Sequence, residues 1–302
     1  MENKLLTRWM VEIADTGSME PYALVGDVDY LARRDAIAAR AAGPSAEPIR
    51  IAYLDSENET WRTAKAALDR RWNSVAAPAI LDARDRLDLP NHRVPHLDEV
   101  TRRLRPRSGF EFRAVPGLVP VVEFFGSLAA GVFLSTQYVR HHDSPLYTPE
   151  PDIIHEVIGH GTCLADPHLA MLHRQAGSAM LRVTTEQARQ FVANVFWFSA
   201  EFGVLRPDGM PRPAGGVGDG VRAYGAGLLS SVGELEHLVN KAEIVPLDIV
   251  RMGTTDYDIS AYQPLLFSAR SLAEVLDVVG EFFVAVDDEL VASLSRSAAE
   301  LV

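Results

Sequence analysis

Between Arg113 and Arg140 runs "AVPGLVPVVEFFGSLAAGVFLSTQYV", a stretch whose only charge is Glu123. A segment this apolar either crosses a membrane or is buried in a protein core, and the choice decides the class of fold. A membrane span needs about 20 unbroken apolar residues. Pro116, Pro120 and Glu123 interrupt the run, leaving a helix-length piece from about Phe124 to Val139. That piece reads as a buried core helix, with no membrane association. A chain of 302 residues, 47% hydrophobic and 23% charged, supplies ample core around it. That length allows one large domain or two small ones.

The charge balance narrows the partners. A net charge of −12 argues against a nucleic-acid groove, which needs a basic face. One cysteine, Cys163, rules out an intramolecular disulfide, so nothing requires an oxidising compartment. The N-terminal "MENKLLTRWMVEIADTG" mixes acids among its apolar residues and is not a signal peptide, so a cytoplasmic location is expected. Arginine far outnumbers lysine and alanine is abundant, a composition typical of GC-rich bacterial genomes.

Along the chain there are no repeats, long charge blocks or low-complexity tracts. Residues 29–42 and 57–72 have helical composition, and "SVAAPAILDARDRL" and "HLDEVTRRL" read as further helices. "TTEQARQFVANVFWFSAEFGV", residues 184–204, opens with a capping box from Thr184 to Gln187. Its stripe of Phe191, Val195, Phe198 and Phe202 repeats at helical spacing. The Pro/Gly-rich residues 206–220 form a loop, and the chain turns helical again from about Leu228. Strands are few, "FEFRAV" and "EIVPLD". The expected fold is mostly α with a small β component. It is read as one domain because no linker interrupts the core-like segments, with residues 1–25 a less ordered lead-in.

Chemistry concentrates in "TPEPDIIHEVIGHGTCLADPH", residues 148–168. A zinc-protease helix reads H-E-x-x-H, with its histidines about 40° apart around the helix. Here His155 and His160 are five apart, which on an unbroken α-helix separates them by roughly 140°. Thr148 or Glu150 can cap a helix whose first turn tolerates Pro149 and Pro151, and whose Ile153, Ile154, Val157 and Ile158 face the core. Gly159 favours a left-handed stop just before His160. A helix ending there swings His160 back toward His155, so one metal is compatible with both. Glu201, the one carboxylate in the apolar run "VFWFSAEFG", needs a partner if buried and is the third candidate ligand. Two imidazoles and a carboxylate form the facial triad of non-haem Fe(II) oxygenases, but zinc accepts the same donors.

These segments resemble the pterin-dependent aromatic amino acid hydroxylases, the family of the phenylalanine, tyrosine and tryptophan hydroxylases. "YTPEPDIIHEVIGHGTCLADP" is similar to the family's iron-binding segment. "FEFRAVPGLVPVVEFFGSLAAGVFLSTQYVRH", "FWFSAEFG" and "RAYGAGLLSSVGEL" match further family segments in the same order. Weaker similarity extends through "DYLARRDAI", "ENETWRTA" and "YQPLLF", so the likeness covers nearly the whole chain as one catalytic domain.

The resemblance implies Fe(II) bound by His155, His160 and Glu201, with tetrahydropterin and O₂ as its other reactants. It implies that Arg140 holds the substrate carboxylate, a task that suits the two-pronged guanidinium, with Thr148 and Ser230 nearby. Ser230 would support an iron-ligating histidine, and Trp197 would lie beside the substrate ring. Phe124 would stack on the pterin, Gly117 and Val119 would meet its edge, and Glu156 and Ala193 would border that site. The substrate implied is a free aromatic amino acid. Trp197 favours phenylalanine, converted to tyrosine or meta-tyrosine, over tryptophan, and a pocket without a fixed partner for a phenol hydroxyl favours it over tyrosine; tryptophan and tyrosine are the alternative substrates.

Departures from the family pattern bear on which ring carbon is attacked. Leu134 stands where animal members have histidine, Phe196 replaces a tyrosine, and Gly161 and Thr162 replace a valine-proline pair expected beside the iron. Loop 206–220 is longer than usual. No regulatory domain or heptad tail is recognisable, so a monomeric, single-domain bacterial type is implied. From another class, a zinc hydrolase with Glu156 as general base remains open, as does a non-catalytic metal-dependent scaffold.

Overall fold

The computed structural model describes residues 27–43, 48–146, 148, 150–215, 220–259 and 261–300. The lead-in read as less ordered, residues 1–25, lies outside them. In the first half, helices α1 (Val28–Ala39), α2 (Asp55–Val75), α3 (Pro78–Leu87) and α4 (Leu97–Ser108) precede β1 (Glu111–Ala114), α5 (Val121–Ala129) and β2 (Val132–Ser135). A π-helical turn, His155–His160, leads into α6 (Gly161–Leu164) and α7 (Pro167–Arg182). Helix α8 (Glu186–Phe196) leads into a second π-turn, Trp197–Glu201. Then come β3 (Val204–Leu205), β4 (Arg222–Ala223), α9 (Ala226–Leu229), α10 (Val232–Asn240), β5 (Glu243–Pro246) and α11 (Ile249–Thr254). The chain closes with β6 (Leu265–Ala269), α12 (Leu272–Val275), a π-turn over Leu276–Gly280, α13 (Glu281–Ala285) and α14 (Asp288–Glu300).

The apolar run between Arg113 and Arg140 is not one helix. Its helix ends at Ala129, and Gly131, at φ 75°, turns the chain into β2. All four residues of β2 are buried, and it pairs in parallel with β1. A strand covered on both faces loses its polar alternation, so "VFLS" reads as a continuation of the helix. The second sheet has the order β4-β3-β6-β5, antiparallel only at β3–β4. Among the described residues no helix is long and apolar enough to cross a membrane.

One continuous core joins α2–α14. Its anchors are large rings whose polar atoms are satisfied: Trp61 Nε1 donates to the Pro90 carbonyl at 2.8 Å, and Trp72 Nε1 to the Leu229 carbonyl at 2.9 Å. The second bond ties α2 to the turn carrying Ser230. Helix α8 begins one residue later than the sequence implies. Thr185 is its cap, accepting from the Ala188 N–H, while Asp288 holds the hydroxyls of both Thr184 and Thr185. Asp288 therefore supplants the expected capping box by docking α14 on the start of α8.

Helices α5 and α7 meet at Gly177. A Cβ there would lie 2.4 Å from both the Ala129 nitrogen and the Phe125 carbonyl oxygen. Backbone atoms cannot swing aside, so the helices must separate to admit a methyl group. Gly177→Ala is expected to destabilise the protein by about 1–3 kcal/mol, the usual cost of overpacking. Chemical denaturation measures this, and an unchanged midpoint would show the crossing to be looser than described.

Candidate metal centre

The two histidines meet without a helix break. Residues His155–His160 form a π-turn and the chain continues directly into α6, with Gly161 still in the right-handed helical region. A π-turn pairs residue i with i+5, which brings side chains five apart onto one face. Gly159 is thus not a left-handed terminator. A Cβ on it would lie 2.7 Å from the Ala226 carbonyl oxygen and 3.3 Å from Ser230 Cβ, so its job is to admit α9 and the serine beside the metal helix. The cap differs from expectation as well. Asp152, not Thr148 or Glu150, accepts the His155 N–H at 3.1 Å, while the Thr148 hydroxyl bonds the Glu150 carbonyl within its own turn.

The second π-turn, Trp197–Glu201, delivers the third group. Ligand atoms of His155, His160 and Glu201 all lie within 4.8 Å of one another. His160 Nε2 is 3.0 Å from Glu201 Oε1, and the two imidazoles stand perpendicular with centroids 4.9 Å apart. His160 and Glu201 are buried, whereas His155 is half-buried. Ser230 orients His155. Its hydroxyl donates to the Gly227 carbonyl at 3.2 Å, leaving its oxygen to accept the His155 Nδ1–H at 2.8 Å. That fixes the tautomer with a free lone pair on Nε2. Burial, then the neighbouring His160, pushes the His155 pKa down to about 4. Burial alone would raise the Glu201 carboxyl, but His160, by charge and hydrogen bond, and then His155 and His173 pull it down to about 2. A neutral imidazole and an ionised carboxylate are the forms that bind a cation, so the donor set fits a divalent metal.

Glu156 behaves oppositely. Burial, then the Glu201 and Asp152 charges, hold its carboxyl well above the usual range, while hydrogen bonds from Thr136 offset this in part. A general base must be ionised, so this upward shift works against Glu156 as the base of a zinc hydrolase.

Arg140 is buried and already paired. Its Nε and Nη2 donate to Asp152 Oδ2 and Oδ1 at 3.0 and 2.8 Å, and its backbone N–H also reaches Oδ2 at 2.8 Å. Asp152 thereby joins the arginine to the first turn of the metal helix. The sequence reading missed it, although an acid followed by an apolar helical face is an N-cap signal. Trp197 donates its Nε1–H to Gln263 Oε1 at 3.1 Å, stacks on Tyr257 at 4.2 Å and tilts against Phe202.

The residues assigned to the pterin lie on the neighbouring elements. Phe124 is half-buried and meets Phe133 edge-on at 5.7 Å, and Phe133 in turn lies against the His160 ring at 4.5 Å. Ala193 is buried on α8, one turn before Trp197. Gly117 and Val119 sit half-exposed between β1 and α5, with open space where a Gly117 side chain would be.

Gly161 and Thr162 are the exception. A Cβ on Gly161 would face Leu87 and Phe112. Thr162 lines a polar cavity of 290 Å³ with Lys65, Asp69, Arg84 and Asp88, on the side of the metal helix toward α2 and α3. These positions were expected beside the iron, but helical continuation through His160 turns them toward other neighbours. A second cluster joins the buried His141 to the exposed His142 and Asp143. Both ring nitrogens of His141 are engaged there, Nε2 by the Asp27 carboxylate and Nδ1 by the Asp143 N–H, each at 3.1 Å.

The fold and its centre agree with the comparison to known proteins. Residues 13–295 match the family described as biopterin-dependent aromatic amino acid hydroxylase. The chain belongs to that family. It is accordingly an aromatic amino acid monooxygenase that uses a pterin. Phenylalanine 3-hydroxylase of Streptomyces coeruleorubidus is 44% identical over 91% of this chain and 95% of its own length. Phenylalanine-4-hydroxylase of Bos taurus is 35% identical over 78% of this chain, which spans 51% of that longer protein. Among solved structures, phenylalanine hydroxylase of Colwellia psychrerythraea superposes with a TM-score of 0.74 at 29% identity, covering 86% of this chain and 94% of that one. The Chromobacterium violaceum hydroxylase, whose structure holds iron(III) and 7,8-dihydrobiopterin, gives 0.72 at 25% identity, covering 83% and 89%.

Proposed function

We propose that this hydroxylase converts L-phenylalanine to meta-tyrosine, using Fe(II) held by His155, His160 and Glu201, a tetrahydropterin and O₂. The observation that carries the regiochemistry is the 44% identity to a phenylalanine 3-hydroxylase over nearly its full length, against 35% to a 4-hydroxylase. When bound, the metal and pterin supply the reduction of O₂, one oxygen atom ending on the ring and the other on the pterin.

The chain's own residues do the rest. Arg140, held rigid by Asp152, presents its guanidinium to the substrate carboxylate. Trp197, locked by Gln263 and Tyr257, forms a wall for the ring, with Ser230 keeping His155 in place and Thr148 on the bordering loop. Phe124 offers a face to the pterin, Gly117 and Val119 offer backbone, and Glu156 and Ala193 close the floor. The Trp197 and Phe202 rings offer a phenol hydroxyl no fixed partner, and an unpaired buried hydroxyl costs about 1–3 kcal/mol. Phenylalanine is therefore the expected substrate over tyrosine. The enzyme is further read as a cytoplasmic monomer, which light scattering tests through its mass in solution.

Arg140→Lys keeps the charge but cannot match the two oxygens of Asp152 and grip a carboxylate as well. Losing a charged hydrogen bond costs about 1.5–3 kcal/mol, so the KM for phenylalanine should rise roughly 10- to 100-fold. Equal weakening of a carboxylate-free analogue would remove Arg140 from this role. The product assignment is tested by chromatography after incubating the iron-loaded protein with tetrahydropterin, O₂ and phenylalanine. Meta-tyrosine is expected, and para-tyrosine as main product would overturn the regiochemistry.

A further inference from the structure

His173 lies on α7, 1% exposed, and is neither one of the three candidate ligands nor one of the substrate or pterin residues. Its ring stands edge-to-face with that of His160, centroids 5.8 Å apart at 87°, and meets Phe196 at 5.5 Å. His173 Nδ1 is 2.8 Å from the Leu169 carbonyl oxygen one turn earlier. A carbonyl only accepts, so Nδ1 carries the proton and Nε2 keeps a lone pair. That Nε2 is buried with no hydrogen-bond partner among the described residues.

His160 has the complementary deficit. Its Nε2 faces Glu201 on the side where the three ligand atoms converge. Ligation through Nε2 leaves the proton on Nδ1, and this Nδ1 is also buried without a partner among the described residues. One ring thus needs an acceptor and its neighbour needs a donor. Histidines that bind metals nearly always give their second N–H to such an outer group. His155 has Ser230 for this purpose; nothing above supplies one for His160.

We propose that His173 is the outer partner of His160, its Nε2 accepting the His160 Nδ1–H by a small rotation of the rings or through one buried water. This rests on the reading of His160 as a metal ligand. His173 is a positioning residue: it would fix the plane of the ligand ring and make its Nε2 a stronger donor, raising metal affinity.

The test is cobalt(II) binding to the metal-stripped chain, followed by the visible absorption of the bound ion. His173→Phe fills the space without an acceptor, and affinity should fall about 10- to 100-fold. His173→Gln places a carbonyl oxygen near the position of Nε2, and affinity should stay within about threefold of wild type, following the same outer-partner logic. Unchanged affinity in His173→Phe overturns the proposal, and so does equal loss in both variants, which would mean packing alone matters. A second readout is independent of affinity. In the zinc-loaded protein the His160 Nδ1–H should give a slowly exchanging proton resonance in wild type and His173→Gln, lost in His173→Phe. Persistence of that resonance in His173→Phe contradicts the proposal. Undiminished cobalt binding in His160→Ala is a distinct result, which would overturn the ligand assignment and the proposal with it.

Discussion

Alanine at His155, His160 or Glu201 should reduce hydroxylation to background while the protein stays folded, the largest effect expected in the chain. Each change leaves two donors where three atoms now converge within 4.8 Å. Glu201 carries most of the weight, because its ionised carboxylate is the negative charge of the set and His160 is only 3.0 Å away. Glu201→Gln keeps the shape and removes the charge, so it should bind iron poorly, while Glu201→Asp tests whether a shorter arm still reaches. Iron content and circular dichroism separate lost metal from lost fold. Hydroxylation retained by any single alanine variant with stoichiometric iron would refute the triad.

The second large effect is expected at Asp152. Its side chain is fully buried and that of Arg140 is 3% exposed, so each neutralises the other out of reach of water. Removing one partner of a buried ion pair strands the other and costs about 3–5 kcal/mol. Asp152→Ala also deprives the His155 N–H of its cap and should destabilise the protein by about that amount. Asp152→Asn keeps the cap and most of the packing but releases the guanidinium, so it should act chiefly on KM for phenylalanine. Urea denaturation and steady-state kinetics on the two variants separate these roles. An unchanged KM in Asp152→Asn would mean that Arg140 is not positioned by this pair.

Much of this site could be read from the sequence, for unequal reasons. His155, His160 and Glu201 were identifiable because buried acids and paired imidazoles are costly without a cation, and because long motifs occur in the family's order. How the histidines meet was not, since no single residue type encodes a π-turn. Gly159 offered a familiar but wrong explanation, its real constraint being the Ala226 carbonyl from a distant segment. The strand "VFLS" was hidden for a related reason, because burial on both faces erases the alternation that marks a strand. Asp152 and His173 act through residues brought near by the fold, and so carry little signal in one dimension. The same geometry turns Gly161 toward Leu87 and Phe112, and Thr162 toward the cavity beside α2 and α3. Phe196, which lies 6.5 Å from Phe124 and 5.5 Å from His173 in ring-centroid distance, is a departure from the family pattern that lies among the rings around the centre.

The most direct test of the central claim is to follow labelled oxygen. Iron(II)-loaded protein is supplied with tetrahydropterin, phenylalanine and ¹⁸O₂, and the tyrosine isomers are analysed by mass spectrometry. The account predicts O₂ uptake that requires both pterin and iron, with meta-tyrosine carrying a single ¹⁸O atom. Product formed without pterin, or product whose new oxygen comes from water, would contradict it.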